Sequence, residues 1–118
     1  SEMMDITSRI FFETESRKLL NDETSNPWNQ LLWHSQMTVS KLIGALEEVT
    51  REVDPEPGFV VATLKRALHL VHMTISTLEA AQSLQTKHEN WQLDIRRSLF
   101  GVRESILDLM QTYRRNGA

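Results

Sequence analysis

Histidine does most of the metal and proton work in proteins, and this 118-residue chain has four: His34, His69, His72 and His88. His69 and His72 stand three positions apart, so on a helix they share a face and could grip a metal between them. A usable site needs a third ligand, and in helical bundles that is a carboxylate in a Glu-x-x-His pair. No such pair occurs in the sequence. His69 and His72 therefore read as solvent-facing or rim residues, and no metal is expected. A histidine that carries phosphate in a helical phosphotransfer domain is followed by His-x-x-Lys-Gly. Here His34 precedes Ser35, Gln36 and Met37, and His69 precedes Leu70, Val71 and His72. Neither fits.

The other routes to catalysis are equally bare. Cysteine is absent, which removes disulfides, thiolate zinc sites and thiol nucleophiles. No serine lies in a strained strand-to-helix elbow pattern. Only four glycines occur, and none builds a Gly-x-x-x-x-Gly-Lys loop for phosphate. The acid pairs Glu13/Glu15 and Glu47/Glu48 read as solvated helix faces. The expectation is a protein that is not an enzyme and carries no cofactor.

Arginine is the remaining chemical hint. Arg96, Arg97, Arg103, Arg114 and Arg115 crowd the C-terminal third, interleaved with Asp94, Glu104 and Asp108. The last two suit a helix C-terminus, whose dipole favours cations. A net charge of −3 argues against a dedicated nucleic-acid or anionic-membrane binder. A nucleic-acid-associated regulator using Arg96, Arg97 and Arg103 is the alternative reading, with a His-dependent phosphorelay or enzyme domain behind it.

The elements that position these residues are helical. Apolar content of 40% and charged content of 25% match a globular domain, and the length suits a single domain over residues 1–118. Four segments show the three-and-four spacing of an apolar helix stripe. The first, 5–20, places Met3, Ile6, Ile10 and Leu20 on one face, with Phe11, Phe12 and Leu19 pointing elsewhere. The second, 27–53, starts at the Asn26-Pro27 cap and carries Trp28, Leu32, Ser35, Val39, Leu42, Leu46, Val49 and Val53, with Gly44 inside it. The third, 57–84, follows the break Asp54-Pro55-Glu56-Pro57, with Asp54 or Glu56 as its cap. It carries Phe59, Val61, Leu64, Leu68, Val71, Ile75 and Leu78. The fourth, 87–115, runs through Trp91, Ile95, Leu99, Val102, Ile106, Leu109 and Tyr113.

No glycine or proline separates the last two, but the stripe slips register there, and Thr86 with Glu89 fits a capping box. The alternative is one helix of about 58 residues, roughly 87 Å long. Short connectors favour antiparallel neighbours, so the fold class is all-α, an up-down four-helix bundle with heptad-like packing. Three long helices with a docked N-terminal helix is the near variant.

Once a core is assigned, apolar residues are left over. The fourth helix has a second row, Leu93, Phe100, Leu107 and Met110, beside the seam rather than in it. A seam helix in a small bundle needs about three apolar positions in seven, and this one exceeds that. With Arg103 alongside, the row reads as a partner-binding face for another protein or a second copy of the chain. Trp33, Trp91 and Tyr113 add aromatic types common at interface hot spots. The function expected is a non-enzymatic interaction or dimerisation module, a scaffold or adaptor piece. No stretch approaches the ~18 apolar residues of a membrane span and the start Ser1-Glu2-Met3-Met4 lacks a secretion pattern. A cytoplasmic location is expected, and the chain can equally be a fragment of a longer protein.

Overall fold

A computed structural model describes residues 1–51 and 56–116, the side chains of 46, 48–51 and 116 excepted. Four helices follow in order: α1 (Glu2–Ser16), α2 (Pro27–Arg51), α3 (Pro57–Ser83) and α4 (Asn90–Asn116). No strand occurs among the described residues, and none of these helices is long and apolar enough to cross a membrane.

Most boundaries have a local cause. Asn26 caps α2 as its sequence predicts, its Oδ1 accepting from the Trp28 amide at 2.9 Å, with Pro27 in the first turn. Ser1 caps α1 by accepting from the Met4 amide at 3.3 Å. Glu56 sits at the α3 cap in extended conformation and makes no side-chain cap bond. Asp54, the other capping candidate, and Val53, the expected end of α2, lie outside the described residues, as do the Leu46 and Val49 side chains.

Two expectations about helix ends are corrected. The first helix begins at Glu2, ahead of 5, and stops at Ser16, short of 20. Lys18 takes a left-handed φ of 56°, and the amides of Lys18 and Leu19 return to the carbonyls of Glu15 and Thr14 at 3.1 and 2.9 Å. This double return is a Schellman stop, usually built on glycine. Here lysine fills the position, so the sequence carries no signal for it. The turn swings Leu19 and Leu20 back onto the core. The second correction is that α4 begins at Asn90, not 87, after a connector that excludes the single long helix. Glu89 does not serve a capping box with Thr86, because its carboxylate is taken by Arg17 and Trp91.

Among the described residues the backbone of α1 approaches those of α2 and α4, α2 approaches α3 and α3 approaches α4, while across the α2–α4 diagonal the Trp28 and Trp91 rings meet. This ring is a helical bundle 48 Å long and 23 by 22 Å across. Met3, Ile6 and Ile10 of α1 are buried as their spacing predicts, and so are Trp91, Ile95, Leu99, Val102 and Ile106 of α4.

Elsewhere the buried rows turn. In α2 the buried line is Trp28, Leu31, Ser35, Thr38 and Ala45, leaving Leu32, Val39 and Leu42 half-buried at its flank. Thr38 enters the core because its hydroxyl is satisfied there. It donates to the His34 carbonyl at 2.7 Å and lies 3.2 Å from the Thr74 hydroxyl. In α3, Val60 is buried and Phe59 is exposed.

The last exchange is in α4, where Met110 is 3% exposed and Leu109 is 43% exposed, the reverse of their expected places. A straight helix drifts about 20° per heptad against a strict seven-residue repeat. Along 95, 102 and 109 that drift carries side chains out of the core. Along 96, 103 and 110 it carries them in: Arg96 is exposed, Arg103 half-buried and Met110 buried.

Gly44 lies exposed inside α2, and a Cβ there would meet nothing within 4 Å among the described residues. It therefore serves no close helix approach. Gly44→Ala should stabilise the chain by about 0.5–1 kcal/mol, read from equilibrium urea unfolding. A loss of stability would contradict this placement.

Candidate functional site

The second row of α4 lies on the flank that faces α3, and its members are graded by the same drift. Leu93 is exposed at 43%, whereas Phe100 and Leu107 are half-buried and packed against the core. Met110 belongs to the core, so its assignment to a partner-binding face is corrected. Arg103 bridges the two helices, its Nε donating to His72 Nε2 at 3.1 Å while a terminal nitrogen pairs with Glu104 at 2.7 Å. The Arg96 guanidinium lies over the Phe100 ring, 4.8 Å from its centroid, a cation–π contact that holds both groups at the surface. Leu93 and Arg96 border two shallow depressions, one shared with Arg97 and Phe100, the other with Glu79, Gln82, Ser83 and His88.

The groups considered for catalysis are not brought together. His72 already accepts from Arg103, and His69 and His88 are exposed. His34 is half-buried, and its Nδ1 has no partner among the described residues. No three of the described His, Asp and Glu side chains gather at metal-holding separation. The hydroxyls of Thr14, Ser35, Thr38 and Thr74 donate to carbonyls of their own helices, three or four residues back. That use leaves them occupied rather than poised as nucleophiles.

One cluster has no signal in the sequence, because it joins three distant segments at one end of the bundle. Trp28 and Trp91 meet with ring centroids 5.7 Å apart. The Glu89 carboxylate accepts from the Trp91 indole N–H at 2.7 Å and from Arg17 Nε at 2.8 Å. The same arginine lies over the Trp91 ring, 5.2 Å from its centroid, and pairs with Glu13 at 3.3 Å. The indole N–H, then the Arg17 guanidinium, hold Glu89 below its ordinary carboxylate range.

Comparison of the chain with protein-family models, with curated proteins and with solved structures finds no match.

A carboxylate whose folded pKa is depressed stabilises the fold above its unfolded value and loses that contribution as pH falls through the folded value. For Glu89 the loss begins below its ordinary value of 4.5. Acid titration of the unfolding midpoint, followed by tryptophan fluorescence, should show a decline there that Glu89→Gln flattens. An unchanged slope in that variant would mean the carboxylate is not held by these donors.

Proposed function

We propose that this chain is a non-enzymatic module for protein recognition or dimerisation, an up-down four-helix bundle that uses an apolar helix face. The antiparallel course is supported by which residues meet. Arg9 pairs with Asp94 and Arg17 with Glu89, so the numbers rise along α1 as they fall along α4. Thr38 meets Thr74, while Ala45 and Thr63 border one depression between α2 and α3. His72 meets Arg103 while Gln82 and Leu93 share a depression between α3 and α4.

The observation that carries the reading is the platform of Leu93, Arg96 and Phe100 on the α3 flank of α4. Arginine and aromatic side chains dominate the energetics of protein interfaces, and here one is stacked on the other beside an exposed leucine. Leu107 and Arg103 extend the face toward the middle of the helix. The nucleic-acid alternative is weakened by pairing, since Arg97 lies 3.7 Å from Asp94 and Arg103 2.7 Å from Glu104.

Further large apolar side chains are exposed on α1 and α2. Phe12 of α1 is 66% exposed and Trp33 of α2 is 60% exposed, and Phe11 is half out of the core. They are a second candidate contact for a copy of the chain.

Light scattering over a concentration range separates the two surfaces. Self-association abolished by Leu93→Asp with Phe100→Ser, with the helical circular dichroism retained, assigns the interface to α4. Loss through Phe12→Asp with Trp33→Asp instead assigns it to α1 and α2. A mass of 13.7 kDa at every concentration would exclude dimerisation, leaving recognition of a different chain. Retention on a polyanion column that fades steeply with salt would overturn the reading in favour of nucleic acid.

A further inference from the structure

We propose that the end of the bundle where α2 and α4 near their C-termini holds a binding site for an uncharged apolar small molecule, of the class of an unbranched alkyl chain. A cavity of about 210 Å³ lies there, with walls from all four helices. Met3, Leu42, Val60, Leu64, Val102 and Ile106 supply most of its surface. It exceeds the roughly 150 Å³ apolar cavity that stays dry and takes up benzene.

Two features of the fold create the space. Ala45 is the small member of the α2 core row and stands on the cavity wall. The drift of α4 brings Met110 into the core and leaves Leu109 outside it, also lining the cavity. Leu109 and Ile43 are two of the large apolar side chains left exposed on this bundle, and both border this space. Their exposure, unexplained by the core, is what an apolar entrance requires.

The hydroxyls of the wall are already in use and offer a polar guest no free donor. The Thr63 hydroxyl donates to the Phe59 carbonyl at 3.0 Å and the Ser105 hydroxyl to the Gly101 carbonyl at 3.1 Å. Ser1 Oγ is used by the Met4 amide. The charged groups among the described lining residues are the exposed Glu2 carboxylate and the Ser1 α-ammonium, of opposite sign. A carboxylate head would have to give up its hydration against these apolar walls, whereas an alcohol gives up far less. The site therefore takes a neutral chain in preference to a fatty acid of the same length.

Methyl NMR of the intact chain, titrated with 1-butanol to 1-decanol and with octanoate, tests this. Val60, Leu64 and Ile106 methyls should shift saturably, and affinity should rise about fourfold per methylene until the chain outgrows the cavity. Octanoate should bind more weakly than 1-octanol. Ala45→Leu fills the space and should abolish the shifts, and Val60→Leu does so from α3 if the first variant fails to fold. Shifts that do not saturate, that persist in the filled variants, or that spread equally to Leu84 and Leu19 overturn the site. Binding of octanoate equal to that of 1-octanol overturns the preference for a neutral chain. A doubled molar mass that competes with 1-octanol would assign the cavity to a side chain of a second copy, and overturn the small-molecule assignment.

Discussion

Burying Ile95, Leu99, Val102 and Ile106 between α3 and α1 sets the rotation of α4 about its own axis, and the outer features of the bundle follow from that angle. Each such side chain contributes about 1.5–3 kcal/mol when taken from water. An exposed ion pair such as Arg9–Asp94 contributes about 0–1 kcal/mol. The seam therefore decides the rotation, and the surface pairs adjust to it. Leu93, Arg96 and Phe100 are presented along α3 because they stand beside that seam on the helix. Leu109 is turned out toward the cavity for the same reason, three residues beyond Ile106.

A polar thread runs through the core without breaking it. Thr14, Ser35, Thr38, Thr74 and Gln92 are fully buried. The hydroxyls need no partner helix, because each donates to a carbonyl within its own. Gln92 donates to Gln85 at 2.8 Å, while its Oε1 and the Nε2 of Gln82 have no partner among the described residues. A buried polar atom without a partner costs about 1–3 kcal/mol, so this end of the interior is less settled than the Thr38–Thr74 layer. The Trp28–Trp91 pair stands at the same end, with both rings buried. Its aromatic area does the packing, and Arg17 and Glu89 orient the rings.

Legibility in the sequence followed the strength of the periodic signal. The four helices, the Asn26-Pro27 start and the α4 seam from Trp91 to Ile106 could all be read from spacing and capping chemistry. What could not be read falls into three physical kinds. The end of α1 rests on a lysine in a left-handed conformation, which residue type does not announce. Buried threonines look like surface residues until their hydroxyl bonds are seen. Met110 and Leu109 exchange places because a fixed heptad count accumulates angular error over successive turns. The candidate site was half legible for that last reason. Leu93, Phe100, Leu107 and Met110 were identified as a row with Arg103 alongside, but their graded burial, which takes Met110 into the core, depends on drift. The apolar cavity was not legible, since it arises from four segments meeting.

The rotation of α4 is the central claim, and the absence of cysteine makes it directly measurable. Single substitutions Leu93→Cys, Leu99→Cys, Leu109→Cys and Met110→Cys place one thiol at each heading around the helix. Under native conditions the account predicts rapid labelling at 93 and 109. At 99 and 110 labelling should be slower by about a hundredfold or more, because those thiols react only through opening of the bundle. Labelling of 110 as fast as 93, or protection of 109, would show that α4 is turned differently and would contradict the flank and the cavity together.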